Sequence, residues 1–210
     1  RSGRCLVVGS GDAPKQNRRY LECFDEVVFS DVSLQRDVDF VCDVQELPFD
    51  DEQFDFVVCN AVLEHVLAPD LAVAEMRRVL KLGGEVYANT PFLQQVHMGA
   101  FDFTRFTVLG HRWLFREFEE QESGPNNGPG SVLAWTLFYG TLGLVGGGRA
   151  RTVAKAILRV LLWPIKYLDL LYGARGGAHD SCGGVHFWGK KAAAGELSPA
   201  KLIEGYRGNG

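Results

Sequence analysis

The segment DVQELPFDDEQFDFVVCNAVLEHV, residues 43–66, contains the pattern that decides the fold. An apolar run, Phe54 to Cys59, stands between an acidic turn at Asp50 to Glu52 and the polar residue Asn60. A short apolar run bounded by turn residues predicts a strand buried on both faces, as in a parallel sheet. We therefore expect an α/β fold in which Asn60 lies at the carboxyl end of a strand.

Four further runs of similar length predict the other parallel strands: Cys5 to Val8, Val27 to Ser30, Phe40 to Cys42 and Glu85 to Ala88. Helix-like stretches are expected between these runs, and Pro69 with Asp70 opens one helix. We expect Lys81 to lie in the last turn of that helix and Gly83 with Gly84 to stop it. Two more strands are expected, near Phe118 to Glu122 and at Val185 to Gly189. The pattern predicts a doubly wound, mostly parallel sheet with helices on both faces.

The second half of the chain carries a long apolar stretch before the last predicted strand. Ser123 to Gly130 is rich in Gly, Pro and Asn and predicts a loop. Residues 132–172 are strongly apolar, and we expect a helical insertion at about 131–172. Together, residues 1–191 are expected to form a single domain, and residues 192–210 a loosely held C-terminal tail.

The insertion also carries a cationic stripe of Lys155, Arg159 and Lys166. Its apolar content predicts contact with the core, with a second subunit or with an anionic membrane surface. Gly146 to Gly148 and Pro164 favour a folded hairpin, and hence burial, with a homodimer as one form of it. Peripheral membrane contact remains the alternative, because neither apolar stretch reaches the roughly 20 uninterrupted residues of a membrane span.

Composition narrows the range of partners and compartments. The chain has 210 residues and a formal net charge of −4, which argues against a nucleic-acid partner. Its five cysteines form no CxxC pair, so we expect free thiols in a reducing cytoplasm, with neither disulfides nor zinc. Arg1 to Arg4 lead directly into a predicted strand, and no signal peptide is expected.

Ligand-binding residue types follow three successive predicted strands. Gly9 and Gly11 form a tight turn after the first strand, where a backbone without side chains can approach a ligand closely. Asp31 and Asp43 close the next two runs, where carboxylates can accept bonds from ribose hydroxyls and an adenine amino group. Asp31 alone is equally compatible with a helix cap or a solvated turn. Because ligands bind at the carboxyl ends of open α/β sheets, the ordered set favours a nucleotide-like ligand.

Residues 43–66 resemble the central block of the type-11 branch of class I S-adenosylmethionine-dependent methyltransferases. The segment EMRRVLKLGG at residues 75–84 and the strand ending in Asn89-Thr90-Pro91 resemble the same branch. The resemblance is strong over residues 4–116 and loose beyond them. It implies a Rossmann-like class I methyltransferase fold and an enzyme that transfers a methyl group from S-adenosylmethionine and releases S-adenosylhomocysteine.

The resemblance also assigns cofactor contacts at four strand ends. They are Gly9, Ser10 and Gly11 for the methionine part, Asp31 for the ribose hydroxyls with Val32 against the adenine, Asp43 and Val44 for the adenine edge, and Asn60 and Ala61 for the methionine part and the sulfonium. Two positions depart from the family pattern: Val7 stands where an acid is usual, and Ala13 replaces a third glycine. These departures favour a rival interpretation, a cofactor-binding partner subunit without catalysis. An NAD-dependent reductase is disfavoured by Pro14 and by the lack of a Tyr–Lys catalytic pair.

The segments at residues 91–97 and 101–107 resemble the acceptor side of methyltransferases for sugars, glycans and natural products. His97 is the predicted general base for an acceptor hydroxyl, and a structural hydrogen bond within the loop is its alternative role. Asp102 and Arg105 are expected to orient His97, to clamp an anionic acceptor, or to pair with each other. Carbon or nitrogen methylation is the alternative reaction, and Glu64, His65 or water is the alternative base. We expect no metal site.

Overall fold

The computed structural model describes residues 2–11, 21–172, 176–193 and 197–209. Its strands are β1 (Arg4–Val8), β2 (Glu26–Asp31), β3 (Phe40–Val41), β4 (Phe54–Asn60), β5 (Leu80–Pro91), β6 (Glu119–Pro125) and β7 (Gly184–Lys190). They form one seven-stranded sheet in the order β3-β2-β1-β4-β5-β7-β6. Strands β1 to β5 run parallel, whereas β7 is antiparallel to both of its neighbours. The predicted mostly parallel sheet is confirmed.

Seven α-helices lie within the described ranges: α1 (Pro69–Val79), α2 (Val108–Leu114), α3 (Pro129–Leu144), α4 (Gly148–Leu162), α5 (Asp169–Tyr172), α6 (Gly176–Asp180) and α7 (Pro199–Glu204). Helix α1 begins with Pro69 as expected, but it ends at Val79. Leu80 already has extended backbone (φ −74°, ψ 137°), so Lys81 lies in β5 and not in the last helical turn. The glycines at 83 and 84 therefore do not stop the helix.

Alternate residues of β1 face the two sides of the sheet, as the strand's two-residue period requires. Leu6 and Val8 lie in the larger core cluster, which includes Met76 of α1. Cys5 and Val7 lie in a smaller cluster on the other face. The residue where the family has an acid is thus a core residue, with 5% of its surface exposed.

The connections on either side of β3 differ from the predicted alternation of strand and helix. Residues 32–39 and 42–53 form turns and bends. Side chains satisfy the backbone there: Asp39 accepts a bond of 2.9 Å from the amide of Phe29. Phe40 and Val41 of β3 remain 42% and 53% exposed. The sheet is therefore less covered at this end than the sequence pattern indicates.

The helices α3, α4 and α5 lie between β6 and β7. Strand β6 continues to Pro125 and α3 begins at Pro129, so the predicted loop at residues 123–130 is reduced to residues 126–128. Helix α3 buries four residues, whereas in the described structure α4 buries none. Packing of α4 into the core is therefore not observed, and its contact with a second subunit or an anionic membrane stays a prediction. Within the described residues, no helix is both long and apolar enough to cross a membrane.

Long-range hydrogen bonds connect residues 197–209 to the rest of the domain, which differs from the loosely held tail that the sequence predicts. The amide of Leu197 donates to the carbonyl of Arg116 at 2.8 Å. The Arg112 guanidinium donates to the carbonyl of Gly205 at 3.1 Å. Asp180 accepts from Tyr206 Oη. The cause is polar pairing with α2 and α6, which the composition of the segment does not reveal.

Candidate functional site

The carboxyl ends of the parallel strands meet at one edge of the sheet. Val8 pairs with Ser30 of β2 on one side and with Cys59 of β4 on the other. Asn60 pairs with Asn89 of β5. Because parallel strands in register end at the same edge, the sequence-predicted residues after each strand come together there.

The glycine turn after β1 adopts backbone that favours glycine. Gly9 has φ 64° and Gly11 has φ 60°, in the left-handed region where a side chain is strained. A Cβ on Gly9 would also approach Val62 Cγ2 to 2.1 Å. A Cβ on Gly11 would meet no described atom within 4 Å. The turn is therefore packed against the segment after β4 at Gly9, whereas at Gly11 none of the described residues covers it.

Asp31, at the end of β2, binds to this turn. Its Oδ2 accepts a bond of 2.8 Å from the amide of Gly11, and its Oδ1 accepts bonds of 2.9 Å from the amide and hydroxyl of Ser33. Each carboxylate oxygen has two lone pairs, so these contacts leave capacity for a ribose hydroxyl. The next residue, Val32, is 75% exposed. The side chains that the resemblance assigns to ribose and adenine are thus both accessible.

Asp43 and Val44 lie in the turn after β3. Asp43 is exposed, and its Oδ1 accepts a bond of 2.9 Å from the amide of Gln45. The side chain of Val44 is only 7% exposed and belongs to the core. Any contact of Val44 with a ligand is therefore restricted to its backbone.

A strained turn follows β4. Ala61 has φ 56°, which is uncommon for a residue with a side chain and is often found at functional sites. Its amide donates to the carbonyl of Asn89 at 2.8 Å. Asn60 Oδ1 accepts a bond of 2.8 Å from Asn89 Nδ2. Hydrogen bonds to β5 thus hold the strained backbone and place Asn60 at the edge.

Three titratable side chains meet beyond this turn. Glu64 and His65 lie in the short 3₁₀ helix Leu63–His65, and His97 lies in the loop after β5. Glu64 Oε1 is 3.7 Å from His65 Nε2 and 3.8 Å from His97 Nε2. The Glu64 side chain is fully buried, and burial raises its pKa from 4.5 to about 7. The structure thus places the predicted base beside two of the alternative groups.

Asp102 lies behind His97 and is itself 1% exposed. Its carboxylate accepts a bond of 2.9 Å from the amide of His97 and approaches His97 Nδ1 to 3.4 Å. It is also paired with Arg105, whose guanidinium holds the pKa of the Asp102 carboxyl well below its usual range. Arg105 donates further bonds to the carbonyls of Gln94 and Gln95. All three guanidinium nitrogens of Arg105 thus donate hydrogen bonds within the loop. This arrangement favours a role in positioning His97 over a role in binding an anionic acceptor.

The sequence analysis names Glu64 only as an alternative base, whereas the structure places it at the centre of the cluster. The sequence contains one indication of its burial. Glu64 is a charged residue that stands between the apolar residues Leu63 and Val66, both of which are buried. The remaining histidines lie outside the cluster. His111 is buried against Phe115, and His186 lies 3.5 Å from Glu122.

Comparison with known proteins finds similarity in the first half of the chain. Residues 18–88 match the family model of the type-11 methyltransferase domain. The ubiquinone/menaquinone biosynthesis C-methyltransferase UbiE of Bordetella avium is 37% identical over 84 residues, which are 40% of this chain and 32% of that protein. The UbiE protein of Burkholderia multivorans is 46% identical over 79 residues, or 37% of this chain and 32% of that protein. The chain thus spans about a third of the length of these relatives.

Solved structures share the fold at low sequence identity. A Haemonchus contortus phosphoethanolamine N-methyltransferase 2, in complex with S-adenosylhomocysteine, has a TM-score of 0.56 at 16% identity, over 91% of this chain and 49% of that one. Burkholderia thailandensis 1,6-didemethyltoxoflavin-N1-methyltransferase has a TM-score of 0.56 at 14% identity, over 91% and 72%. Residues 18–88 are thus similar to a methyltransferase domain, and the fold of the chain resembles that of these solved methyltransferases.

Proposed function

We propose that the chain binds S-adenosylmethionine at the carboxyl edge of the sheet and transfers its methyl group to a small-molecule acceptor. The observation that carries this proposal is the convergence of Gly9, Gly11, Asp31, Asp43 and Asn60 at one edge of the type-11 domain. When bound, S-adenosylmethionine supplies a methyl carbon already activated by a positive sulfur. The protein's task is to position the reactants, exclude water and handle one proton.

The residues at the edge fit this cofactor. Among the described residues no atom lies within 4 Å of a Cβ built on Gly11, and Asp31 and Asp43 provide carboxylates for hydroxyl and amino donors. Val32 provides an exposed apolar surface for a ring. The apolar Val7 cannot pair with the cofactor's ammonium group. We therefore expect weaker cofactor binding than in relatives with an acid at this position.

We propose a hydroxyl of a sugar, glycan precursor or natural product as the acceptor. A neutral hydroxyl must lose a proton during transfer, and Glu64, His65 and His97 form a cluster of three proton-binding groups. Carbon methylation, which the name of the UbiE relatives denotes, is the alternative. Transfer of a deuterated methyl group to candidate acceptors, followed by mass spectrometry and carbon NMR, distinguishes oxygen, nitrogen and carbon products by chemical shift.

We further propose that α4 makes a peripheral contact with an anionic membrane. Its residues Val153, Ile157 and Val160 recur at helical spacing and are 57%, 53% and 75% exposed. Residues 129–172 contain five basic residues and one acidic residue, Asp169. A symmetric dimer through α4 would oppose two copies of this cationic surface, so charge favours lipid over a second copy.

Calorimetric titration with S-adenosylmethionine and S-adenosylhomocysteine tests the cofactor site. We expect one molecule per chain, and Asp31→Ala or Asp43→Ala should weaken binding by about 1.5–3 kcal/mol through the lost hydrogen bonds. Glu26→Ala is the matched control, because Glu26 is an exposed acid at the opposite end of β2. Unchanged affinity in both Asp variants would contradict the site. No binding at all would contradict the proposed function.

A further inference from the structure

The cluster of Glu64, His65 and His97 has an unexplained feature at its centre. Among the described residues, no group donates a hydrogen bond to either oxygen of the Glu64 carboxylate, although the side chain is fully buried. A buried carboxylate without partners is costly, and such groups in proteins are normally paired or bound to a metal. One ligand atom from each of the three residues lies within 4.8 Å of the others.

The two imidazole rings are held in the orientation that metal ligands adopt. His65 Nδ1 is 2.6 Å from the carbonyl oxygen of Phe101. Because a carbonyl oxygen only accepts, Nδ1 must carry the proton, and the lone pair of the neutral ring is on Nε2. His97 Nδ1 likewise faces the Asp102 carboxylate at 3.4 Å. A carbonyl or carboxylate behind the second ring nitrogen is the usual outer shell of a metal-binding histidine.

We propose that Glu64, His65 and His97 bind a divalent transition-metal ion such as Zn²⁺ or Co²⁺. Two imidazoles and one carboxylate are ligands that these ions accept, and three protein ligands leave a fourth position open. With metal–ligand bonds of about 2.0–2.2 Å, tetrahedral ligand atoms lie about 3.4 Å apart. The separations of 3.7 and 3.8 Å from Glu64 Oε1 need to close by a few tenths of an ångström, and that between the two histidine ligand atoms, which lie within 4.8 Å of each other, by at most about 1.4 Å.

The site is closed on the carboxylate side and accessible on the histidine side. The side chains of His65 and His97 are 19% and 34% exposed, whereas that of Glu64 is not exposed. The open position therefore faces the solvent side, where an acceptor hydroxyl can enter. A metal ion makes such a hydroxyl more acidic, so that its proton leaves to solvent. His97 is then a ligand and not the base. This consequence for the acceptor rests on the proposed function, whereas the metal site does not.

Calorimetric titration of chelator-treated protein with ZnSO₄ and with CoCl₂ tests the site, and the visible absorption of Co²⁺ reports its ligands. The exposed thiol of Cys23 can itself bind Zn²⁺, so the titrations use Cys23→Ser protein beside the unaltered chain. We expect one ion per chain. Asp102→Asn should weaken binding about 10- to 100-fold as an outer-shell change. Glu64→Gln, His65→Ala and His97→Ala should each weaken it by more.

His179→Ala is the matched control, since His179 lies outside the cluster on α6, and it should leave metal affinity unchanged. Each variant is also titrated with S-adenosylhomocysteine. Loss of metal binding with intact cofactor binding would place the ion in this cluster and not in the cofactor site. The metal site is overturned if the Cys23→Ser protein binds neither ion, or if all three ligand variants bind as tightly as their parent. Failure of the proposed function has a separate signature, the absence of cofactor binding in the parent protein.

Discussion

At the scale of single residues, His111 on α2 is a buried base in an aromatic environment. Its surface is 1% exposed, its ring packs against Phe106 and Phe115, and among the described residues neither ring nitrogen has a hydrogen-bond partner. Burial lowers the pKa of His111 from 6.5 to about 3. Between those pH values the unfolded chain binds a proton that the native chain excludes. This contribution to stability is therefore complete above pH 6.5 and is lost as the pH falls.

We predict that His111→Phe reduces the loss of stability in mild acid. At pH 5 the unaltered protein should have lost about 2 kcal/mol that the variant retains, because each pH unit below 6.5 costs about 1.4 kcal/mol. Urea unfolding at pH 7.5 and pH 5 measures the difference. Phe115→Leu, which removes no titrating group from the same cluster, should shift stability equally at both pH values. Identical pH dependence in His111→Phe and the unaltered chain would show that the imidazole ionises freely.

The residues of the site were predictable to different degrees. Gly9 and Gly11 could be assigned from sequence because a strand followed by a glycine turn has few structural solutions. The arrangement around His97 could not be assigned, because three roles for Asp102 and Arg105 agree with the same sequence. Only the folded loop shows that backbone carbonyl groups accept hydrogen bonds from the guanidinium of Arg105. The complete burial of Glu64 likewise depends on the fold and could not be predicted from the sequence.

At the scale of elements, continuous apolar runs predicted the central strands well, because a strand buried on both faces needs such a run. The helices between strands were predicted less well. Between β2 and β3 the chain makes turns stabilised by Asp31 and Asp39, whose side chains bind nearby backbone amides. Such local side-chain bonds offer the backbone an alternative to helix, and periodicity does not report them.

Helix α4 carries the prediction at this scale. We expect the protein to sediment with vesicles that contain anionic lipid and not with neutral vesicles, and to be released by salt. Val160→Asp should weaken binding about tenfold or more by placing a charge on the apolar face, and Lys155→Ala about fivefold.

Leu67→Asp is the control for the α4 prediction, because Leu67 is a similarly exposed apolar residue outside the helix, 78% exposed. It should leave vesicle binding unchanged. Light scattering in the absence of lipid tests whether the protein forms a dimer instead. A dimer that Val160→Asp dissociates, together with no affinity for anionic vesicles, would show that α4 binds a second copy.

At the scale of the whole molecule, the order of the strands and the position of the C-terminal segment depend on contacts between distant residues. Lys191 Nζ donates to the carbonyl of Leu80, 111 positions earlier in the chain. Arg112 binds Glu120 through Nε and the carbonyl of Gly205 through Nη1. Local sequence patterns do not indicate these long-range pairs. For this reason the sequence predicts a loose segment after β7.

We predict that removing residues 197–210 destabilises the whole domain. Arg112 is 7% exposed and would lose its bond to Gly205, while Asp180 would lose those from Tyr206 and the amide of Asn209. The loss of one of the two hydrogen bonds of this buried guanidinium should cost about 1–3 kcal/mol, which for a domain of this size lowers Tm by about 2–12 °C. Thermal unfolding followed by circular dichroism measures the shift.

Tyr206→Phe is the control, because the exposed bond that it removes should change stability by no more than about 0.5 kcal/mol. A truncated chain that unfolds at the same temperature as the full chain would show that this segment is held only loosely, as its sequence alone indicates.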